Sequence, residues 1–261
     1  MGTRASSGRL NDRVALITGS THGIGLGIAS RFVKEGASVV INDEGGNDGP
    51  AVAEQIRDQI DDAEVTFVEA DVREPEAIQH LISETIDAFG QIDILVNNVG
   101  EERPASPGEL SIEDWSFTMK STLRSAWLCT KYALEHMPDG ASIINISSVH
   151  SDATSPGHFP YNVAKAGVNG LTRALAVELS DLGLRVNAIA PGAIIIDDQD
   201  PSSEQLHQPP PADPVGRMGT PDDVAGLAAY LASDDAAYIT GSVLRADGGR
   251  LAVQQTTGEG R

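Results

Sequence analysis

One segment near the N-terminus constrains the fold of this chain more than any other feature. An apolar run, VALIT (14–18), predicts a buried strand, and the glycine-rich turn GSTHGIG (19–25) and a helical stretch from Ile24 to Lys34 follow it. A second apolar run, SVVIN (38–42), ends at Asp43. A strand, a glycine turn, a helix and a second strand in this order are typical of a βαβ unit.

The glycine turn predicts a dinucleotide site. Glycines let the backbone approach a pyrophosphate, and the free N–H groups of the helix N-terminus favour its negative charge. The spacing G-x-x-x-G-x-G differs from the G-x-G-x-x-G fingerprint but needs small residues for the same reason. The alternative is a turn that only opens a helix. We expect the cofactor to contact the residues Gly19, Thr21, His22, Gly23, Ile24 and Gly25.

Asp43 predicts a preference for NAD. A carboxylate at the end of the second strand accepts hydrogen bonds from the ribose diol and repels a 2′-phosphate. The next residue is Glu44 rather than an arginine, and His22 is not a permanent cation. NAD is therefore favoured over NADP, although Asp43 could be only a turn residue in NDEGGNDG.

A second pattern predicts acid/base chemistry. Tyr161 and Lys165 are four residues apart, so on a helix they share one face. A lysine ammonium favours the phenolate and is expected to lower the pKa of Tyr161, which makes the pair a general acid/base. Ser148, at the end of the run INISS, could hold a substrate oxygen by hydrogen bonding. Tyr-x-x-x-Lys alone occurs by chance on many helices, so the catalytic interpretation of the pair depends on the nucleotide site predicted upstream.

The order of elements predicts an α/β fold. Strand-like runs at 38–41, 65–70, 93–97, 142–147 and 185–190 alternate with helical patterns. This alternation favours parallel strands joined by crossover helices. A chain of 261 residues can form one such domain with a large core.

With these motifs in order, the chain resembles a short-chain dehydrogenase/reductase of the ordinary single-domain type. The resemblance covers roughly residues 10–250 and rests on TGSTHGIG (18–25), Asp71-Val72, NNVG (97–100), Ser148, YNVAK (161–165), NAIAPG (187–192), RMGTPDDVAGLAAYLAS (217–233) and ITGSVLRADGG (239–249). It implies a Rossmann-like doubly wound parallel sheet flanked by helices, a single NAD(P)-binding domain over 1–261, and a homotetramer. The terminal segments 1–9 and 256–261 themselves predict poorly ordered ends. QPPPADP (208–214) falls where the family has a mobile substrate loop.

The resemblance also implies residue roles. Ser148 would hold the substrate oxygen, Tyr161 would be the acid/base, and Lys165 would bind the nicotinamide ribose. Further cofactor contacts would come from Asp71 and Val72 at the adenine, from Asn97 and Gly100 along the channel, and from Pro191, Gly192 and Ile194 near the nicotinamide. The substrate would also meet His150 and Phe159.

Two positions depart from the family pattern. Thr122 stands where many members have an asparagine that supports a proton-relaying water; a threonine offers one hydroxyl and no amide. Ile196 stands where many have a threonine that bonds the nicotinamide carboxamide. The three residues of the acid/base set are intact.

The net charge of the chain indicates the salt conditions in which the protein is expected to work. Asp and Glu total 38 against 18 Lys and Arg, giving a formal charge of −20. Self-repulsion at this level destabilises a compact state at low salt, and salt screens it. We therefore expect a halophilic protein in a salt-rich cytoplasm; ordinary solvated acidity is the alternative. The sequence has no basic stripe, which is the pattern that would indicate nucleic-acid binding.

Other patterns exclude further classes. No apolar run approaches 18 residues and no apolar signal segment begins the chain, so we expect a cytoplasmic protein without a membrane span. The single Cys129 cannot form an internal disulfide, and no His/Cys cluster has metal-ligand spacing.

The sequence therefore predicts an enzyme that transfers a hydride between NAD(H) and a secondary alcohol or ketone, a small-molecule substrate. An NADPH-dependent 3-oxoacyl thioester reductase is the enzymatic alternative. A nucleotide-binding regulatory protein without turnover is the alternative of another class.

Overall fold

The computed structural model describes residues 8–45, 48–60, 62–196 and 213–253. Within these ranges seven parallel strands form one sheet in the order β3-β2-β1-β4-β5-β6-β7. The strands are β1 (Val14–Ile17), β2 (Ser38–Asp43), β3 (Val65–Glu69), β4 (Ile94–Asn97), β5 (Ser142–Ile146), β6 (Arg185–Pro191) and β7 (Val243–Ala246). The predicted parallel sheet is confirmed.

Helices cover both faces of the sheet. They are α1 (Gly23–Lys34), α2 (Gly49–Gln59), α3 (Pro75–Phe89), α4 (Ile112–Met119), α5 (Ser125–Ala133), α6 (Phe159–Glu178) and α7 (Pro221–Ala232). One apolar core joins β-strand side chains to α1, α2 and α7, and a second joins the opposite face to α3, α5 and α6. The sheet is therefore doubly wound, as predicted, and its topological switch lies between β1 and β4.

Sequence periodicity explains how a helix such as α3 covers the sheet. Ile78, Leu81, Ile82 and Thr85 are buried at the i, i+3, i+4, i+7 spacing of one helix face. Burying each large aliphatic side chain contributes roughly 2 kcal/mol. The helix ends at Gly90, whose φ of 83° is the left-handed conformation that glycine adopts without strain.

The helical segment between β4 and β5 contains a turn that its sequence pattern does not indicate. Between α4 and α5, Lys120–Arg124 form a π-helical turn. Such a turn holds an extra residue and changes which side chains face inward, and it often occurs at functional sites. Ser121 and Thr122 on this turn are buried.

The chain ends are only partly described. Residues 1–7 and 254–261 lie outside the described ranges, so the prediction about their order remains a prediction. Arg9 is described, and its guanidinium forms an ion pair with Glu35 at 2.8 Å. None of the helices in the described ranges is both long and apolar enough to span a bilayer.

Candidate active site

A cavity of about 500 Å³ opens at the carboxyl ends of the strands, beside the switch between β1 and β4. Most of the residues that the sequence assigned to a site line it: Gly19, His22, Gly23, Ile24, Asp43, Asp71, Val72, Gly100, Ser148, Tyr161, Lys165, Pro191, Gly192 and Ile194. The other predicted site residues are not among the lining residues: Thr21, Gly25, Asn97, Thr122, His150 and Phe159.

The glycine turn at one wall fits a pyrophosphate. Gly19 and Gly23 have φ values of 59° and 54°, and both face the cavity. Gly25 lies beneath the turn, where a Cβ atom would stand 2.2 Å from the carbonyl oxygen of Gly19. The hydroxyl of Ser20 donates to the carbonyl of Ile17 at 2.7 Å and fixes the turn to β1. The chain thus presents bare backbone and the N-terminus of α1, the donor set a diphosphate requires.

Asn98, and not Asn97, lines the cavity at the end of β4. Asn97 was expected to line the channel, but its amide donates to Asn145 at 2.8 Å inside the sheet. The amide of Asn98 donates to the carbonyls of Thr18 and Gly19 at 3.0 and 2.7 Å. Asn97 is the last strand residue and pairs with β5, whereas Asn98 lies past the strand end, where ligands bind.

Carboxylates surround the opposite end of the cavity. Asp43 closes β2 and is buried; one oxygen accepts from the Thr21 hydroxyl and the other accepts from the N–H of Glu44 at 2.8 Å. Thr21 therefore acts through Asp43 rather than by facing the cavity. Burial alone would raise the pKa of Asp71, but hydrogen bonds and charge from Arg73 outweigh it and hold this pKa below its ordinary value. Burial raises the pKa of Glu101, and Glu44 adds to that rise.

The residues predicted to form an acid/base set come together as their spacing predicted. Tyr161 and Lys165 lie on one face of α6, and the Lys165 ammonium is 5.4 Å from the centre of the Tyr161 ring. Lys165 is 2% exposed and donates to the carbonyl of Ile146 at 2.6 Å. Gly100 lies so close that a Cβ atom there would stand 2.7 Å from the Lys165 nitrogen. Ser148 follows β5 and lines the same end of the cavity.

The predicted direction of the Tyr161 pKa is wrong in this structure. Burial raises the pKa of Tyr161 to about 12; the Ser148 hydroxyl acts against this rise, and the carboxylate of Glu102 adds to it. Burial also lowers the pKa of Lys165 to about 7, which weakens the cation that was expected to favour the phenolate. The expectation counted one neighbouring charge, whereas desolvation by the whole surrounding fold decides the sign.

Thr122 reaches the edge of the acid/base set from the π-helical turn. It is 2% exposed, and its hydroxyl donates to the carbonyl of Glu101 at 3.4 Å. A Cβ atom built on Gly100 would meet both Lys165 and the methyl group of Thr122. The Thr122 side chain therefore lies against the backbone of Gly100 and Glu101, beside Lys165.

His150 and Phe159, both expected to contact the substrate, lie in different surroundings. The ring of His150 lies edge-on to Tyr161 with centres 6.2 Å apart and stacks near His158 at 4.8 Å. His158 in turn contacts Glu102 at 2.6 Å. Phe159 packs instead on the ring of Trp115, 5.8 Å away, because it opens α6 on the side facing α4. Phe159 is therefore not among the residues that line the cavity, and its contact with a substrate stays a prediction.

Ile196, the second departure, lines the cavity and is 57% exposed. Its branched side chain lies near Gly23, since a Cβ atom on that glycine would be 3.4 Å from it. Residues 197–212 lie outside the described ranges and include most of the predicted loop at 208–214. Sequence reasoning missed several lining residues at or just after the carboxyl ends of strands: Asn42, Gly45, Ala70, Asn98, Val99, Ile146 and Ser147.

A doubly wound sheet with a glycine turn at its switch point, and with a Tyr-Lys pair whose lysine is buried in the same cavity, is typical of a dinucleotide-dependent oxidoreductase. Comparison with known proteins agrees. A family model described as Enoyl-(Acyl carrier protein) reductase matches residues 19–250. The (2S)-[(R)-hydroxy(phenyl)methyl]succinyl-CoA dehydrogenase subunit BbsD of Thauera aromatica is 41% identical over 250 residues, covering 92% of this chain and 97% of that protein.

Two further similar proteins extend the comparison. A 3-oxoacyl-[acyl-carrier-protein] reductase of Chlamydia trachomatis is 36% identical over 246 residues, covering 93% of this chain and 99% of that protein. A blue fluorescent protein from a metagenomic library, solved in complex with NADPH, superposes with a TM-score of 0.84 at 30% identity, covering 92% of this chain and 98% of that one. The chain belongs to the short-chain dehydrogenase/reductase family and is an oxidoreductase acting on CH–OH donors.

Proposed function

We propose that this protein interconverts a secondary alcohol and its ketone with NAD as the preferred dinucleotide. The observation that carries the proposal is one cavity with two ends. Ser148, Tyr161 and Lys165 line one end, and Asp43 lines the other. The glycine turn lies between them, so a dinucleotide held there would span from a ribose-binding carboxylate to the acid/base set.

The chemistry divides among the residues of the cavity. A bound nicotinamide supplies the hydride acceptor or donor. Ser148 holds the substrate oxygen, and Tyr161 takes its proton during oxidation or returns it during reduction. Lys165 borders Tyr161 and binds the nicotinamide ribose. Thr122 is assigned a supporting part because it touches the backbone beside Lys165.

The remaining assignments concern binding. Asp71 and Val72 would meet the adenine, and Pro191, Gly192 and Ile194 would border the nicotinamide. His150 would contact a polar substrate group, because its ring lies against Tyr161 and its Nδ1 atom is buried without a hydrogen-bond partner among the described residues.

Cofactor preference and turnover are tested together. We expect NAD⁺ to be reduced faster than NADP⁺ in molar KCl over a panel of secondary alcohols, sugars and 3-hydroxyacyl thioesters. Tyr161→Phe removes only the hydroxyl and is expected to lower kcat by about a hundredfold or more. Tyr230→Phe, on α7, is the matched control and should leave kcat unchanged. Preference for NADP⁺ would contradict the role of Asp43, and full activity of Tyr161→Phe would contradict the acid/base assignment.

The thioesters are in the panel because two relatives are named for acyl thioester substrates. Preferential turnover of 3-oxoacyl thioesters with NADPH would replace the proposal by its enzymatic alternative. NADH binding without turnover of any substrate would favour the non-catalytic alternative, which the complete Ser148, Tyr161 and Lys165 set argues against.

We also propose a homotetramer, and one face of the molecule supports self-association. A shallow apolar groove between α4, α5 and α6 is lined by Trp115, Met119, Leu123 and Trp127. Trp127 is 46% exposed. Gel filtration in molar KCl is expected to give a tetramer, and Trp127→Glu is expected to reduce its size. Leu182→Glu, an exposed apolar position after α6, is the control. A monomeric wild type would contradict the proposal.

A salt-rich cytoplasm is the proposed setting, supported by the net charge of −20. Because salt screens this self-repulsion, we expect Tm to rise between 0.1 and 2 M KCl. Sorbitol at matched osmolarity controls for solute effects that do not depend on charge. Equal Tm at both salt concentrations would contradict the halophilic assignment.

A further inference from the structure

Arg73 lies at the adenine end of the cavity and is engaged by acidic side chains. Its guanidinium donates to both oxygens of Asp71, with Nε 2.9 and 3.0 Å and Nη2 2.9 Å from them. The same Nη2 donates to Glu44. Glu101 is 3.9 Å from Nη1. Asp71, Glu44 and Glu101 all line the cavity, so Arg73 lies directly behind its acidic rim.

Packing fixes Arg73 in this place. Its guanidinium carbon lies 4.9 Å from the centre of the Phe117 ring on α4, and the guanidinium of Arg103 lies 4.2 Å from the same ring. Arg124 donates to the carbonyl of Arg73 from the π-helical turn. The side chain is 24% exposed. The guanidinium is therefore held between the Phe117 ring and its carboxylate partners, which are the acceptors of its N–H groups among the described residues.

The position of Arg73 matters because its partner Glu44 is adjacent to Asp43, the residue proposed to bind the ribose. Glu44 directly follows Asp43, and its N–H donates to the Asp43 carboxylate at 2.8 Å. A dinucleotide whose adenosine ribose meets Asp43 would place its 2′ position beside the Glu44–Arg73 pair. Arginine is the side chain best suited to bind a phosphate in bidentate fashion.

We propose that Arg73 is a masked 2′-phosphate-binding residue, and that Glu44, by holding its guanidinium, sets the cofactor specificity of the chain. The inference rests on the proposed nucleotide site and deepens it. Asp43 and Glu44 repel a 2′-phosphate directly, and Glu44 also occupies the cation that would otherwise attract it. Removal of the Glu44 carboxylate alone then frees a donor for a phosphate.

The test is a double-mutant cycle on binding, with 5′-AMP and 2′,5′-ADP, which differ only in the 2′-phosphate, as probes and calorimetry as the readout. The measured quantity is the ratio of the Kd of 5′-AMP to the Kd of 2′,5′-ADP. We expect Glu44→Gln to raise this ratio about tenfold, the strength of one charge-assisted hydrogen bond. Arg73→Gln in the Glu44→Gln background should cancel most of the rise. Glu84→Gln, the same charge change on α3 beside His80, is the control and should leave the ratio unchanged.

The cycle separates the possible failures. If the double variant keeps the full rise, lost repulsion alone explains Glu44, and the masking of Arg73 is overturned. A wild type that already prefers 2′,5′-ADP would overturn it also. A wild type that binds neither probe would overturn the nucleotide site itself. If Arg73→Gln does not fold, Arg73→Lys keeps the charge without the planar fork and should cancel only part of the rise.

Discussion

The buried Lys165 should make the protein less stable than a variant without its charge. Burial lowers the pKa of Lys165 to about 7, against 10.5 for an exposed lysine. The folded pKa is below the unfolded one, so between these values the unfolded chain binds the extra proton. Stability therefore rises with pH from about 7 to about 10.5 and is depressed most at and below pH 7. At pH 7 the cost is about 4 kcal/mol.

Lys165→Met removes that cost and leaves the carbonyl of Ile146 without its 2.6 Å partner. The lost hydrogen bond costs about 1–3 kcal/mol. At pH 7 the variant should therefore be more stable than the wild type by about 2 kcal/mol. At pH 10 the lysine costs only about 1 kcal/mol, so the gain should vanish or change sign.

Urea unfolding at constant molar KCl, at pH 7 and pH 10, measures both differences. Lys34→Met is the matched control: Lys34 is exposed at the end of α1, so this change should not alter the pH dependence. A Lys165→Met variant that is equally destabilised at both pH values would refute the reasoning. The result would show that the folded environment stabilises the ammonium.

Two further predictions address the glycine turn and the acid/base set. Gly25→Ala would put a Cβ atom 2.2 Å from a backbone oxygen, so it should weaken NADH binding at least about tenfold, as measured by fluorescence titration. The control Gly170→Ala lies in open space on α6 and should leave the affinity unchanged. Equal affinities of the two variants for NADH would contradict the need for glycine at position 25. The charge of Glu102 raises the pKa of Tyr161, so Glu102→Gln should move the pH profile of alcohol oxidation to lower pH, and an unmoved profile would argue against this coupling.

Local patterns were sufficient to predict much of the fold. The runs at 14–18, 38–42 and 142–147 became β1, β2 and β5 with ends shifted by one residue. The i, i+4 spacing of Tyr161 and Lys165 places both on one face of α6 because helix geometry fixes that relation. These features depend on neighbours in sequence, which a single chain displays directly.

What the sequence could not predict depends on distant residues. The direction of the Tyr161 pKa follows from burial by several segments, which no local pattern reports. Phe159 turns towards Trp115 because α4 lies there in the fold. The assignment of Asn97 missed by one residue because its neighbour Asn98 leaves the strand. Arg73 meets Glu44 only because β2 and β3 end side by side.

The switch point between β1 and β4 also separates two parts of the molecule that are contiguous in sequence and could be exchanged separately by recombination. Everything assigned to the adenosine half comes from β1 to β3, and the acid/base residues come from β4 onward. Gly90, an exposed left-handed turn with open space around it, separates the two halves in the chain. A single genetic crossover near it could join the nucleotide preference of one relative to the chemistry of another. Any such hybrid must preserve the contacts between the two halves, which include the packing of α1 against α7 and the hydrogen bonds of Asn98 to Thr18 and Gly19.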